Sequence, residues 1–342
     1  MLVGVGVAWA TRQSALYIWN RLDTQWYLGI ATHGYHWSLH GKSALAFFPL
    51  YPLCIHLAMR LGIDGVLAGM LIANAAWLGA LFYLHRWIEP EWGERTARRA
   101  IWLLALLPTA FFTFAPYTEG PFLLCAAGAL VHARERQGWL AGLWVAAAVM
   151  TRSTGLILVL PVIWLLGTRR LMSWIAAILP TALALAVYAI HLQAEHLSVS
   201  GLLNSQRAWH RALSFPWTGF VASLEWLVNH STYNAGWTAE NILQLGVTVA
   251  FLTFTVLAWR HLQWAERIYS ASFWLLILCT SEWRDDYFAP FSSVDRFILA
   301  LFPLAGWMAW KLTRRQLYTV LIVSGVAMAG AEALHLAGGW VG

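Results

Sequence analysis

Apolar stretches recur along the whole chain, and this pattern restricts what the chain can fold into. Each stretch has roughly 15 to 22 residues, close to the length with which a helix crosses about 30 Å of hydrocarbon. The 342 residues are 60% hydrophobic and only 11% charged, whereas a soluble domain carries about 25% charged residues. The sequence therefore predicts an all-α, multi-pass membrane protein that forms a single domain over residues 1–342.

Two polar segments interrupt the apolar pattern for longer than a turn requires. Residues 20–43 and 193–239 are expected to be loops on one side of the membrane that carry short interfacial helices. Twelve helices are predicted around them. They lie at residues 1–19, 44–61, 65–85, 100–117, 119–133, 139–151, 154–167, 171–192, 240–259, 268–282, 296–310 and 317–338.

Lys and Arg are distributed unevenly between two sets of loops. Loops 86–99, 134–138, 168–170, 260–267 and 311–316 hold 13 of these residues in 36 positions. Segments 20–64, 116–119, 193–239 and 283–296 hold only 7 in 110 positions. Because Lys and Arg resist translocation, the first set is predicted to be cytoplasmic and the second, with outer loops 20–64 and 193–239, extracytoplasmic. The chain length favours a prokaryotic plasma membrane.

Segment 44–61 decides how many helices cross. If it crossed, residues 20–43 would lie on the cytoplasmic side with loop 86–99, against the charge distribution. Pro49 and Pro52 remove backbone donors and disfavour a straight helix here. We therefore interpret the segment as interfacial or re-entrant, which leaves about eleven crossing helices.

Other classes of protein and site fit the composition poorly. The net charge of +6 arises from basic residues scattered over short loops, so no nucleic acid partner is expected. The 23 Trp residues are typical of membrane interfaces, where membrane lipids contact the indole rings. Cys54, Cys125 and Cys279 lie in apolar segments without paired spacing, which indicates core residues and not a zinc site or a disulfide framework.

One carboxylate lies in an aromatic setting near the start of the chain. Asp23 lies between Trp19 and Trp26, within the polar segment that follows the first apolar stretch. A partly desolvated carboxylate at the membrane boundary is suited to accept a proton from a hydroxyl group. The alternative for an isolated Asp is a helix cap or a partner for Arg21.

The surroundings of Asp23 resemble a known family. Residues Arg21–Leu28 and the run Phe47–Pro52 (Phe-Phe-Pro-Leu-Tyr-Pro) are similar to the first loop and the signature of the PIG-V family of mannosyltransferases. Further elements follow in the family's order, with Thr118 replacing Ser and Thr154 replacing Asn. They are Pro116–Glu119, Thr151–Gly155, Gln206, Trp209, Arg211, Pro216–Trp217, Arg296 and Phe302–Leu304.

The resemblance implies a GT-C type glycosyltransferase. Such an enzyme takes a sugar, here mannose by family, from a polyprenyl-phosphate donor and transfers it with inversion to an acceptor that is a lipid, a glycan or a protein. It implies Asp23 as the catalytic base. The predicted topology places the remaining candidate residues on the same outer side, and we expect them to bind substrate. They are Glu119, Arg152, Gln206, Trp209, Arg211 and Arg296.

The leaving phosphate sets a requirement for positive charge. It departs as an anion and needs no general acid, but Arg152, Arg211 or Arg296 can contact its oxygens. The alternative for each Arg is snorkelling to the interface or pairing with Asp295 or Glu119. Glu119 is suited either to orient sugar hydroxyls or to hold an Arg, and Trp209 either to stack on a sugar or to anchor the chain at the interface.

Two groups of residues have the composition of metal ligands, but no cofactor is expected. His33, His36 and His40 are spaced to share one helix face, as zinc ligands do, but Gly34 and the loop composition disfavour that helix. Asp285 and Asp286 are suited to bind a divalent cation, although a solvated acidic turn is the simpler interpretation because no third carboxylate follows at ligand spacing.

Two other functions compete with the glycosyltransferase. A membrane transporter or flippase of a lipid-linked sugar also needs many helices, but transporters place charged residues at the midplane between repeated halves, and no repeat is visible here. A non-catalytic scaffold predicts a sealed bundle, whereas an enzyme predicts a groove that opens laterally beside Asp23.

Overall fold

The computed structural model describes most of the chain. It covers residues 2–11, 14–36, 38–39, 42–209, 211–229, 235–284, 287–289, 291 and 293–339. The helices are α1 Leu2–Thr11, α2 Asp23–His33, α3 Leu50–Arg60, α4 Gly65–Trp92, α5 Glu94–Ala105, α6 Glu119–Arg134, α7 Gly138–Thr151, α8 Val159–Leu166, α9 Leu171–Ala194, α10 Ser200–Ala208, α11 Thr218–Asn229, α12 Ala235–Ala258, α13 Trp264–Leu278, α14 Val294–Phe297, α15 Pro303–Lys311 and α16 Arg314–Leu336. The strands are β1 Ser38–Leu39, β2 Lys42–Ser43, β3 Arg211–Leu213, β4 Thr280–Arg284 and β5 Tyr287–Ala289.

Long apolar helices confirm a multi-pass membrane protein. Within the described ranges, four helical segments are long and apolar enough to cross a membrane: Gly65–Trp92, Leu171–Ala194, Thr238–Ala258 and Arg314–Leu336. Leu183, Val187 and Ile190 on α9 are mostly exposed, as expected for a surface that faces lipid. The predicted total of about eleven crossings stays a prediction.

Small residues let the central helices approach closely. A Cβ on Gly120 of α6 would lie 2.7 Å from the carbonyl oxygen of Ala73 on α4. A Cβ on Gly142 of α7 would lie 1.8 Å from the carbonyl oxygen of Ala176 on α9. Since lipid supplies no hydrophobic force between helices, such close packing is a main source of their association. Glycine is therefore required at both positions.

The proline-rich segment forms the start of the short helix α3. The helix begins after Pro49, and Pro52 is accommodated because it lies in the first turn, where backbone N–H groups have no intrahelical acceptor. Its 11 residues extend over about 16 Å, too short to cross the hydrocarbon. This length agrees with the interpretation as an interfacial or re-entrant element, while the start moves from the expected residue 44 to residue 50.

Several predicted boundaries were wrong. The first helix ends at Thr11, not at residue 19. The predicted loop 86–99 is mostly helical, because α4 continues through Pro90 and stops only at Gly93, whose φ is 76°. The predicted helix 100–117 ends as α5 at Ala105, and a 3₁₀ turn follows at Ala110–Thr113.

The late helices also differ from the prediction. A capping box formed by Gln263 and Glu266 starts α13 at Trp264, ahead of the predicted residue 268. The predicted helix 296–310 is divided into α14, a 3₁₀ turn at Ile298–Leu301 and α15, which begins at Pro303. A proline is favourable at the first helical position and stops continuation of the preceding turn. This part of the chain therefore forms shorter helices than its hydropathy indicates.

Small sheets were missed by the all-α prediction. Strand β3 pairs antiparallel with β4, with Arg211 opposite Glu282, and β4 pairs with β5. Strands β1 and β2 form a two-stranded ribbon. Strand β3 ties the second long polar segment to the chain that precedes α14, and it thereby brings Arg211 towards Arg296. Segment 193–239 also carries the expected short helices α10 and α11.

Candidate active site

Four charged residues from distant parts of the chain meet at one end of the bundle. Asp23 is the first residue of α2, Glu119 the first of α6, Arg152 the residue after α7, and Arg296 lies in α14. We call these four residues the charged cluster. Their formal charges cancel, because two carboxylates face two guanidinium groups.

Glu119 is the centre of the charged cluster. Its Oε1 accepts hydrogen bonds from Nη1 of Arg152 at 2.8 Å, and from Nε and Nη2 of Arg296 at 3.0 Å and 2.6 Å. The residue is 3% exposed. Its Oε2 is buried and makes no hydrogen bond within the described part of the chain. One carboxylate oxygen therefore holds both guanidinium groups.

Arg296 links the two carboxylates. Its Nη2 also donates to Oδ2 of Asp23 at 2.9 Å. Its guanidinium carbon lies 4.6 Å from the ring centre of Phe112 and 4.9 Å from that of Tyr117. Guanidinium groups stack favourably on aromatic faces. The rings and the carboxylates together fix the plane of this side chain.

The backbone before Asp23 is strained. Leu22 has φ 47° and ψ −120°, a conformation that glycine tolerates and a branched side chain rarely adopts. The amide of Thr24 donates to the carbonyl of Arg21 at 3.0 Å and closes a tight turn. Ser293, just before α14, also has a positive φ, of 64°. Such outliers concentrate at functional sites, and here they precede both partners of the Asp23–Arg296 ion pair.

The Pro116–Glu119 turn docks onto α2. The Thr24 hydroxyl donates to the carbonyl of Pro116 at 3.4 Å, and the hydroxyls of Tyr27 and Thr118 are hydrogen-bonded at 3.0 Å. Burial raises the pKa of Tyr27 well above its usual value, so this phenol stays neutral and is no alternative base. The turn thus joins the helix of Asp23 to the helix of Glu119.

The Thr151–Gly155 motif redirects the chain. Helix α7 ends at Thr151, and Arg152 is extended with φ −152° and ψ 137°. A Cβ on Gly155 would lie 2.5 Å from the amide nitrogen of Val149, so only glycine fits the tight return of the chain. Arg152 can therefore reach Glu119, and its guanidinium stacks 4.9 Å from the ring centre of Phe297.

A cavity of about 130 Å³ opens beside the charged cluster. Five of the seven predicted site residues line it, namely Asp23, Arg152, Trp209, Arg211 and Arg296. Glu119 lies behind the two Arg side chains and does not line this cavity. Gln206 is in α10, and its side chain lies outside the described residues. The roles of all seven residues stay predictions.

An aromatic wall borders the cavity and consists of Trp26, Phe47 and Trp209. Trp26 stacks on Phe47 with ring centres 5.3 Å apart, and Trp209 contacts both rings edge-on at 5.3 and 5.6 Å. Nζ of Lys42 lies 4.5 Å above the Trp209 ring. Phe47 belongs to the Phe-Phe-Pro-Leu-Tyr-Pro run, so this run contributes directly to the lining of the cavity. Tyr27 and Lys42 were not predicted as site residues.

An apolar groove of about 680 Å³ lies behind this wall. The groove and the cavity are neighbours, since Tyr188 lines the groove and its ring centre lies 6.0 Å from that of Phe48, which lines the cavity. Leu183 and Val187 of α9 line the groove and are exposed on the lipid-facing surface. The groove therefore opens laterally, whereas a non-catalytic scaffold predicts a sealed bundle.

The chain resembles known proteins in sequence and in fold. A model of the family described as mannosyltransferase (PIG-V) matches residues 7–168. The resemblance to the PIG-V mannosyltransferases is confirmed. A comparison with curated protein sequences gives no match.

One solved structure has the same fold. It is ArnT from Cupriavidus metallidurans bound to undecaprenyl phosphate, with a TM-score of 0.57 and 13% sequence identity. The similarity covers 97% of this chain and 64% of ArnT, so the chain spans less than two thirds of that protein's length. At this identity the likeness shows the fold alone.

The PIG-V match divides the candidate residues into two groups. Asp23, Glu119 and Arg152 lie inside residues 7–168. Trp209, Arg211 and Arg296 lie beyond the matched range. The cavity associates all three with Asp23 and Arg152. Ion pairs join Arg296 to Asp23 and Glu119, whereas the side chain of Asp295 accepts from the backbone amide of Arg296, at 3.1 Å.

The candidate metal ligands are only partly described. Within the described ranges no group of three or more His, Cys, Asp or Glu side chains is placed to hold a metal ion. His36 lies 3.5 Å from Glu195 in an exposed pair. His40, Asp285 and Asp286 lie outside the described residues. The absence of a metal from the site stays a prediction.

Proposed function

We propose that the protein is a glycosyltransferase that moves a sugar from a polyprenyl-phosphate donor to an acceptor hydroxyl, with inversion at the anomeric carbon. One observation carries the proposal: Asp23 and Arg296 form an ion pair of 2.9 Å on the wall of a cavity that adjoins a lateral apolar groove. The PIG-V match supports mannose as the sugar.

Asp23 is the proposed general base. Its Oδ2 is bonded to Arg296, and the carboxylate is partly exposed to the cavity, with 24% of the side chain accessible. The carboxylate takes the proton of the acceptor hydroxyl while the hydroxyl oxygen bonds to the anomeric carbon. The bond from that carbon to the phosphate oxygen breaks, and its electron pair leaves with the phosphate.

The two Arg side chains stabilise the departing phosphate. Arg152 and Arg296 both line the cavity, and guanidinium donors match phosphate oxygens in pairs. Positive charge fixed where negative charge develops lowers the barrier. The proposed acceptor is a hydroxyl of a lipid, a glycan or a protein.

The polyprenyl chain of the donor occupies the apolar groove in this proposal. The groove is lined mostly by apolar and aromatic side chains, many of them from α2, α3 and α9, with Thr32, His56 and His191 among them. It therefore suits a hydrocarbon chain better than a sugar. The ArnT structure of the same fold holds undecaprenyl phosphate, which supports a lipid phosphate as donor carrier.

The orientation in the membrane completes the proposal. The Lys and Arg distribution supports a plasma membrane protein of about eleven crossings, with the charged cluster at the extracytoplasmic face. Accessibility labelling of single cysteines at Glu225 and Arg98 checks it. Glu225 should react from the outside of intact cells and Arg98 only after permeabilisation. The reverse pattern contradicts the orientation.

A panel of polyprenyl-phosphate sugars tests the activity. Purified protein is incubated with each donor and a membrane lipid extract as acceptor, and products are identified by their mass. A product heavier than the acceptor by one sugar supports the proposal. Movement of the intact donor across sealed vesicles, with no glycosidic product from any donor, contradicts it and favours a flippase.

A further inference from the structure

The guanidinium of Arg296 presents its donors on two edges. Nε and one N–H of Nη2 form the side edge, and both donate to Oε1 of Glu119, at 3.0 and 2.6 Å. One N–H of Nη1 and the other N–H of Nη2 form the end edge, while the second N–H of Nη1 points back along the side chain. There Nη2 donates to Oδ2 of Asp23 at 2.9 Å, so Asp23 occupies half of the end edge.

The contacts around Arg296 prevent its guanidinium from turning to present a different edge to the cavity. Its side chain is 7% exposed, and Phe112 and Tyr117 lie against the guanidinium within 5 Å of its central carbon. Glu119 covers the side edge and is itself buried. An anion in the cavity can therefore reach only the end edge, which Asp23 already contacts.

A phosphate group needs the same donors as Asp23. Bidentate recognition by Arg uses two parallel N–H groups of one edge, and on the end edge one of them is bonded to Asp23. The two anions also repel each other. We propose that Asp23 and the donor phosphate compete for the end edge of Arg296, so that phosphate binding releases Asp23. This inference rests on the proposed use of a polyprenyl-phosphate donor.

The competition couples donor binding to the activation of the base. Without a donor, the two carboxylates and two guanidinium groups of the charged cluster cancel. A bound phosphate displaces Asp23 from Nη2 of Arg296, and the released Oδ2 can then accept a hydrogen bond from the acceptor hydroxyl. The donor therefore binds before the acceptor hydroxyl is deprotonated.

The binding of undecaprenyl phosphate to purified protein in nanodiscs tests this inference. Undecaprenol, which lacks the phosphate, serves as the reference lipid. Asp23→Asn keeps the size of the side chain and removes the competing charge. Because the phosphate no longer displaces a charged hydrogen-bond partner of Arg296, the variant should bind undecaprenyl phosphate about tenfold more tightly than the unaltered protein, equivalent to about 1.4 kcal/mol. Its affinity for undecaprenol should not change.

Two further variants make the result unambiguous. Glu225→Gln removes one negative charge at an exposed position of α11 that does not line the cavity, and it should leave the affinity unchanged. Asp23→Ala replaces Asp23→Asn if the latter does not elute as a folded protein in size-exclusion chromatography, and it should also bind the phosphate more tightly.

The possible failures are distinguishable. If Asp23 variants bind undecaprenyl phosphate no more tightly than the unaltered protein, the competition is overturned while the proposed donor class stands. If Glu225→Gln tightens binding equally, net charge explains the effect and the competition is also overturned. If the unaltered protein does not prefer undecaprenyl phosphate to undecaprenol, the proposed donor is contradicted, and the competition with it.

Discussion

Nη2 of Arg296 donates to Oδ2 of Asp23 over 2.9 Å, although 273 positions separate the two residues in the chain. The same nitrogen donates to Oε1 of Glu119 over 2.6 Å. The proposed base is thus oriented by a cation that a second, buried carboxylate holds in place. This arrangement makes the order of importance among the four residues of the charged cluster testable.

Glu119→Gln should destabilise the protein and lower its activity. Removing the carboxylate leaves two poorly exposed guanidinium groups without their shared counterion, and breaking a buried ion pair costs about 3 kcal/mol or more. Thermal unfolding in detergent measures the change. Glu195→Gln disrupts only the exposed pair with His36 and should leave Tm almost unchanged. Equal Tm values for both variants would contradict the structural role of Glu119.

Arg296→Lys should reduce transfer more than Arg152→Lys does. A Lys ammonium lacks the planar guanidinium that reaches both Asp23 and Glu119. It also loses the stacking of that guanidinium on the rings of Phe112 and Tyr117. Arg152 makes a single hydrogen bond to Glu119, which an ammonium group can retain. We expect the two kcat values to differ by about tenfold, equivalent to about 1.4 kcal/mol of barrier. The opposite order would show that Arg152 is the more important cation.

Gly155→Ala should disturb the site through the backbone. The added Cβ would lie 2.5 Å from the amide nitrogen of Val149, so the end of α7 must shift, and Arg152, the next residue, must shift with it. We expect lower Tm and lower transfer activity. Gly246→Ala is the control, since a Cβ there meets nothing within 4 Å, and alanine in a helix is about 1 kcal/mol more favourable than glycine. Similar behaviour of the two variants would contradict the steric argument.

Ala184→Trp should discriminate donors by chain length. Ala184 lines the groove, and an indole there competes for space with a polyprenyl chain. KM should rise for an undecaprenyl donor and change little for a donor of two isoprene units. Ala186→Trp places the same side chain at an exposed position of α9 outside the groove. If Ala186→Trp raises KM as much as Ala184→Trp does, the donor chain does not occupy this groove.

The sequence was informative where function and local structure share a short motif. Helices α6 and α7 were predicted to within a residue or two, because Glu119 and Gly138 begin clear apolar runs. Asp23, Glu119 and Arg152 were selected from three short motifs, and the structure brings their side chains to one cluster. Apolar periodicity and turn residues are local properties, so a single sequence reveals them.

The remaining features depend on contacts between distant segments. The pairing of Arg211 with Glu282 in adjacent strands leaves no local signal in such short strands, so β3 and β4 were missed. The sequence offered Asp295 as a partner for Arg296, yet the fold directs that guanidinium to Asp23 and Glu119. Hydropathy alone misplaced the end of α4 and the start of α15. These boundaries are determined by Gly93 and Pro303, respectively.

The transfer rate of the Asp23→Asn protein tests the central claim most directly. Purified variant and unaltered protein are compared at saturating donor, with size-exclusion chromatography and thermal unfolding to establish that both are folded. A general base contributes about 100-fold or more to a rate, so the variant should bind the donor and yet transfer sugar at least about 100-fold more slowly. Transfer by folded Asp23→Asn at a rate close to that of the unaltered protein would contradict the assignment of Asp23 as the base.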